Sequence, residues 1–308
     1  MPKKIIAYGN PVYDLIVTPE VRTPGRVLSG CSTNACLAAA KLGESTTLIG
    51  CVGADFHDRL KADLERYGVE ARLLPSGQTG GFSLEYYDDQ GNRHLEVLGI
   101  ADPIQENTAS LDGADFVLLG PILGEVDATL AQSVRARTTA PILLDPQGLL
   151  RRIAGANKIE HYLSDAYQRT APLMTVVKAN EVETHTITGL WPREQPEAAV
   201  RALRQAGGQI AVATLADAGS VIYDGRSLYM IPAYAVRAID PTGAGDTYAA
   251  GFMIKYRETP DDLLAVGCFA SAVASQMVEQ IGPDFVMSRA ETERRAAELL
   301  PRARRVAL

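Results

Sequence analysis

Cysteine is scarce in this 308-residue chain: four residues, no two of them in a C-x-x-C spacing. Cys31, Cys36, Cys51 and Cys268 therefore read as buried apolar thiols of a reducing compartment, not as a disulfide framework or a zinc clamp. Histidine is equally sparse. His57, His94, His161 and His185 form neither H-x-x-x-H nor H-E-x-x-H, which argues against a transition-metal centre. Aromatic residues make up 6%, with one tryptophan, so stacking surfaces are few. No apolar run suits a bilayer: the longest uncharged helical stretch, 263–278, carries Ser271, Ser275 and Gln276. Met1-Pro2-Lys3-Lys4 leads straight into an apolar strand pattern without a secretory signal. A cationic surplus is missing too. Lys and Arg number 30 against 37 Asp and Glu, a net charge of −7, which disfavours nucleic acid and anionic membrane as partners. A cytoplasmic protein that acts on small molecules is expected.

What is present is ordinary globular composition, 46% hydrophobic and 22% charged, in a chain long enough to bury a full core. Short runs rich in Val, Ile and Leu at 4–9, 47–52, 115–119, 142–145, 174–178 and 210–214 show little alternation, as strands covered on both faces do. Helical stretches lie between them. Residues 32–42 open on Ser32-Thr33 and stop at Gly43, and residues 57–67 stop at Gly68. The expected fold class is α/β, a mainly parallel central sheet with helices on both faces, in a single domain over 1–308. Two hairpins break the alternation. One spans 82–98 and turns at Asp88-Asp89-Gln90-Gly91-Asn92; the other spans 219–231 around Asp224-Gly225. The first reads equally as a lid or as a sheet extension.

The segment richest in chemistry is 239–252, I-D-P-T-G-A-G-D-T-Y-A-A-G-F. A strand ends near Ile239 and a helix starts near Gly245. The small residues Gly243, Ala244 and Gly245 leave backbone N–H groups free at the positive end of a helix dipole, a nest for an anion such as phosphate. Asp246 follows in the first turn. Beside an anion, a carboxylate is uncomfortable unless it accepts a proton from an attacking hydroxyl; the alternative is a carboxylate that only caps the helix. Neither a P-loop nor a G-x-G-x-x-G after the first strand is present, so a nucleotide would be held another way.

Residues 239–252 resemble the C-terminal signature of the ribokinase-like (PfkB-type) family of sugar and nucleoside kinases. Residues 30–50 resemble its N-terminal signature. Lys178-Ala179-Asn180-Glu181-Val182-Glu183 resembles its N-x-x-E magnesium motif, and Thr214 to Gly219 its nucleotide-side strand end. The resemblance implies a ribokinase-like fold with a small β lid from about 11–18 and 80–99; an exposed edge of the hairpin in it would pair with another copy, which suggests a homodimer through the lid. It implies Asp246 as base, with Gly243, Ala244 and Gly245 as anion hole. Asp14, Gly30, Asn34 and Asn10 would line the acceptor pocket. Asn180, Thr214, Gly219 and Ser271 would border ATP. Glu183 and Asn180 would organise Mg²⁺ through water. Asp240 and Thr242 fit a monovalent-cation loop, for K⁺. Each has a plainer alternative: a turn for Asp14, a helix cap for Asn34, and a capping pair for Asn180 and Glu183.

The family's usual Gly-Gly is Ser29-Gly30 here, its Thr-x-Gly is Thr214-x-Ala216, and its Gly after Asp55-Phe56 is His57. The expected activity is transfer of a phosphoryl group from ATP to a hydroxyl of a small sugar or cyclitol-like polyol. Polar residues in 9–14 and 29–34 favour hydroxyl partners over base stacking. Segments 95–103, 120–125 and 281–283 are similar to the inositol-kinase branch. A nucleoside kinase is the alternative within the class. A non-catalytic sugar or nucleotide sensor, and more remotely a dehydrogenase, are the alternatives outside it.

Overall fold

The computed structural model describes residues 4–87, 93–105 and 111–307; the turn expected at Asp88–Asn92 lies outside them. Ten strands form the central sheet. From one edge their order is Arg304–Ala307, Ser227–Ile231, Ser220–Tyr223, Ile210–Thr214, Val176–Ala179, Ile142–Leu144, Ala114–Leu119, Lys4–Tyr8, Ser45–Gly53 and Glu70–Ser76. The strands from Ile210–Thr214 to Glu70–Ser76 pair in parallel. The remaining three continue the sheet antiparallel, so the 219–231 hairpin extends the sheet as an edge.

Burial on both faces explains the unbroken apolar runs. In Lys4–Tyr8, Ile5 and Ala7 enter one core cluster while Ile6 and Tyr8 enter another. Val212 and its neighbours Ala211 and Ala213 divide the same way. Two strands lacked that signature and escaped the sequence reading: Glu70–Ser76 and Arg304–Ala307 are edge strands, largely exposed. The two expected helices are Cys31–Lys41 and His57–Arg66, followed by Gly43 and Gly68 at φ 89° and 71°. Among the described residues no helix is long and apolar enough to cross a membrane.

A second sheet has the order Val27–Ser29, Val12–Val17, Gly81–Tyr86 and Arg93–Gly99. It brings together the two segments expected to form the lid and adds a short third. Its period-2 pattern separates two faces. On Gly81–Tyr86 and Arg93–Gly99 the pairs Phe82↔Val97, Leu84↔Leu95 and Tyr86↔Arg93 share one face, while Ser83↔Glu96 and Glu85↔His94 share the other. The first face packs with Val12, Ile16, Cys31 and Ile122, so it is turned toward the body of the molecule. A two-stranded hairpin, Arg151–Ile153 with Ile159–His161, abuts this sheet through a bridge between Glu96 and Lys158.

Candidate active site

Parallel strands deliver their carboxyl ends to one side of a sheet, where α/β proteins place their sites. Here those ends carry Asn10, Asp145, Lys178 and Thr214 in or just after Lys4–Tyr8, Ile142–Leu144, Val176–Ala179 and Ile210–Thr214. Above them starts the helix Ala244–Glu258. Its N-cap Gly243 has φ 82° and no side-chain cap. That left-handed backbone suits glycine, and a Cβ there would meet Asn34 Nδ2 at 2.9 Å. The Ala244 amide donates to Pro241 O at 3.2 Å. The amides of Gly243 and Gly245 have no partner among the described residues, so they are the two open donors of the expected anion hole.

Asp246 lies between the starts of two helices. Its Oδ2 accepts from Asn34 Nδ2 at 2.9 Å, and its Oδ1 accepts from Gln147 Nε2 at 3.4 Å. Burial and nearby Asp145 raise its pKa, while Lys178 and the Asn34 bond oppose the rise. Asn34 thus holds the candidate base and does not cap the helix Cys31–Lys41, whose N-cap is Gly30. Asp145, Asp246 and Cys31 bring ligand atoms within 4.8 Å of one another. Burial, with Asp145 and Asp246 adding to it, pushes the Cys31 thiol well above its ordinary pKa, so it stays neutral. Lys178 Nζ donates to Asp145 Oδ2 at 2.5 Å and to Gly245 O at 3.2 Å. Burial alone would lower the Lys178 pKa; Asp145, Glu183 and Asp246 outweigh it and keep the ammonium charged.

Asn180 and Glu183 form a capping box at the start of Glu181–Thr188. Glu183 Oε2 accepts from the Asn180 amide at 2.8 Å, and Oε1 accepts from Asn180 Nδ2 at 2.8 Å. Burial, reinforced by Asp145, raises the Glu183 pKa. The plainer alternative for this pair is therefore present, and what Glu183 offers a hydrated cation is its remaining lone pairs.

Asp14 sits on the inner face of the small sheet, accepts from the Phe82 amide at 2.7 Å, and is raised to about 6 by burial, with Ser29, Phe82 and Arg26 opposing. Gly30, at φ 114°, opens the helix that carries Asn34; a Cβ would come within 3.1 Å of Asn10 O. Asn10 is committed elsewhere: Nδ2 donates to Asp102 O at 3.0 Å and Oδ1 accepts from the Cys51 amide at 2.7 Å. Where the nucleotide is expected, Thr214 ends its strand and Gly219 turns at φ 92°, where a Cβ would meet Ile231 O at 2.1 Å. Ser271 Oγ donates to Pro232 O at 3.0 Å. Asp240 Oδ1 accepts from the Thr242 amide at 2.9 Å, while its buried Oδ2 has no partner among the described residues. Thr242 Oγ1 donates to Tyr86 Oη at 2.9 Å, which ties the small sheet to the Gly-Ala-Gly turn.

Lys178, Asp145, Gln147 and Tyr86 escaped assignment from sequence. One signal was readable: a lysine inside an all-buried strand needs a partner, and an aspartate directly after another such strand is the natural one.

This fold and this helix-start site define a ribokinase-like α/β kinase architecture. The family model for pfkB carbohydrate kinases matches residues 2–290, and the chain belongs to that family. The chain is 26% identical over 265 residues to a cytidine kinase of Thermococcus kodakarensis, covering 82% of this chain and 88% of that protein. It is 28% identical over 284 residues to an inositol 3-kinase of Oryza sativa, covering 86% and 66%. Among solved structures, a pyrophosphate-dependent kinase of the ribokinase family, complexed with a pyrophosphate analog and myo-inositol, superposes with a TM-score of 0.80 at 22% identity, over 94% of this chain and 99% of that one. The nucleoside kinase of Burkholderia thailandensis, complexed with ADP-inosine, gives 0.74 at 20%, over 96% and 95%.

Proposed function

We propose that this chain transfers the terminal phosphoryl group of ATP to a hydroxyl of a small sugar or cyclitol-like polyol. The observation that carries this reading is Asp246, held by Asn34 and Gln147 beside the open amides of Gly243 and Gly245. Asp246 takes the hydroxyl proton as the oxygen attacks in line, and the two amides receive the charge that gathers on the phosphoryl oxygens. Asn34 fixes the direction of the carboxylate. Asp14 accepts from another acceptor hydroxyl. The inner face of the small sheet closes over both and excludes water.

Mg²⁺ fits the donor set. Asp145, Asp246 and Glu183 are hard oxygen donors at one end of the sheet, and Glu183 with Asn180 would hold the ion through water. When bound, the ion neutralises phosphate charge. The orphaned Oδ2 of Asp240, beside Thr242, suits K⁺.

A polyol is favoured over a nucleoside by what the tyrosines do. Tyr13 is buried, stacked on Phe56 at 4.3 Å and bonded to Asp63, and Tyr86 is spent on Thr242. Neither ring is free to stack on a base. The names of the cytidine and nucleoside kinase relatives favour the second reading, a nucleoside acceptor. ADP release with ATP and a panel of inositols, hexoses, pentoses and nucleosides decides. A kcat/KM preference for polyols is expected. A preference for a nucleoside overturns the acceptor, and no turnover with any hydroxyl overturns the kinase reading.

A further inference from the structure

Arg151 is a buried cation that the scheme above leaves unused. It begins the strand Arg151–Ile153, is 8% exposed, and donates from Nη1 to Ile122 O at 3.3 Å. Its Nε–H is buried without a partner, and it makes no salt bridge among the described residues. A buried guanidinium with one carbonyl bond and no direct ion pair among the described residues has unsatisfied donors, so its place suits an anion that arrives from outside.

Its neighbours identify that anion's position. Opposite it in the hairpin stands His161. The bridge between Glu96 and Lys158 brings the hairpin against the strand of Arg93, whose guanidinium lies 5.2 Å from the Tyr86 ring centroid. Tyr86 in turn meets Thr242, at the mouth of the Gly243–Gly245 turn. Ile122, whose carbonyl Arg151 holds, lies against Gly30 at the start of the helix that carries Asn34, and Gln147, in the turn just before Arg151, donates to Asp246. Partial desolvation of its ring, with Arg151 and Arg93 nearby, lowers His161 to about 4, so at neutral pH it adds no charge.

Charge then decides between candidate ligands. Three carboxylates, Asp145, Asp246 and Glu183, crowd the place where a phosphoryl group must pass, and Lys178 is already engaged by Asp145. Mg²⁺, when bound, offsets part of that charge, and a cation fixed in the protein on another side of the phosphoryl oxygens offsets more. We infer that Arg151 is a further catalytic residue, whose guanidinium contacts the phosphoryl oxygens during transfer and completes the anion hole begun by the amides of Gly243 and Gly245. The inference rests on the kinase reading above. In the step, the acceptor O–H bond breaks and Asp246 takes the proton. The acceptor oxygen bonds to phosphorus, and the bridging P–O bond breaks with its electron pair leaving on ADP. Arg151 donates hydrogen bonds throughout and gives up no proton.

The test uses the full chain with Arg151→Gln and Arg151→Lys. With the best neutral polyol, Arg151→Gln should lower kcat by roughly 10²–10³-fold and change acceptor KM by less than about threefold. Arg151→Lys should recover about tenfold of that loss. Without acceptor, inorganic pyrophosphate should raise the Tm of the parent and not that of Arg151→Gln. Near-parental kcat in Arg151→Gln overturns the inference. So does a loss confined to KM and larger for acceptors bearing phosphate or carboxylate, which would mean that Arg151 holds an anionic group of the acceptor. A parent that pyrophosphate does not stabilise, or variants that lose Tm and kcat together while keeping the pyrophosphate shift, overturn it as well. If the parent phosphorylates no hydroxyl, the kinase reading falls, and the pyrophosphate shift still judges Arg151.

Discussion

Asp246 is worth most at the scale of single residues, because its surroundings separate chemistry from stability. In Asp246→Asn the amide oxygen can still accept from Asn34, so folding free energy should move by about 1 kcal/mol or less, while loss of the base should lower kcat by roughly 10²–10⁴-fold. Near-normal turnover of a folded variant would remove Asp246 from the mechanism. Asp14 makes a prediction in pH. Its pKa is raised from the ordinary 3.8 to about 6, so between these values the folded state binds the extra proton. Its contribution is complete below about pH 3.8 and is lost as pH climbs through about 6. Asp14→Asn keeps an acceptor for the Phe82 amide and removes the titration. Denaturation measured from pH 4 to 7 should show a flatter decline for the variant, and acceptor KM should rise; superimposable pH curves would contradict the burial of a titrating carboxyl here. Ala216 is the third residue whose environment speaks plainly. It stands where the family's pattern has glycine, and it takes φ 46°. Left-handed backbone costs a Cβ-bearing residue roughly 1–2 kcal/mol, and glycine gives some of that back as unfolded-state entropy. Ala216→Gly should therefore stabilise by about 0.5–1 kcal/mol in urea titrations.

Among the elements, the Asn180–Glu183 helix start shows what a sequence can and cannot disclose. The N-x-x-E spacing fits a magnesium motif and a capping box equally, because both need oxygen groups one helical turn apart. The structure contains the box, and only function can add the metal. Glu183→Gln retains one acceptor for Asn180, so the helix should survive, while the Mg²⁺ concentration for half-maximal rate should rise severalfold. Identical magnesium titrations for parent and variant would leave Glu183 purely structural. Legibility elsewhere followed burial. Strands covered on both faces stood out as unbroken apolar runs, and the two hairpins were readable from their turn residues, Asp88–Asn92 and Asp224-Gly225, the first also from its aromatic and β-branched arms. Glu70–Ser76 and Arg304–Ala307 were not, because edge strands make few demands on side chains. Within the site, Asp246 and the glycine turn were legible as local sequence. Their organisation was not: Asn34, named only for the acceptor pocket, Asp145 with Gln147, and Lys178 come from three separate parts of the chain, and their meeting is a property of the sheet order. Asn10 uses one N–H and one oxygen lone pair of its amide on backbone, which leaves its second N–H and second lone pair for other partners.

For the whole molecule, the proposed reading makes the relation between the two sheets the means by which phosphate is kept from water. The inner face of the small sheet meets the body through an apolar cluster containing Val12, Phe82, Leu84, Val97, Cys31 and Ile122. Cys31 is the first residue of the helix that carries Asn34, and Asn34 holds Asp246, so packing of the lid and alignment of the base share one element. The Tyr86–Thr242 bond links the lid to the glycine turn as well. Closure should thus dry the site and set the base in a single movement. Leu84→Ala tests this at the point where the cluster is purely apolar. Removing a buried leucine side chain typically costs about 2–5 kcal/mol, and here the deficit should fall on the closed lid rather than on the central sheet, where the residue makes no part of the core. Hydrogen exchange should accelerate in Gly81–Tyr86 while Ile142–Leu144 keeps its protection. Acceptor KM should rise, and ATP hydrolysis in the absence of acceptor should increase relative to phosphoryl transfer. If the lid strands exchange faster but acceptor KM and the hydrolysis ratio stay at parental values, the small sheet is an extension of the fold that takes no part in excluding water, and the alignment of Asp246 depends on the helix Cys31–Lys41 alone.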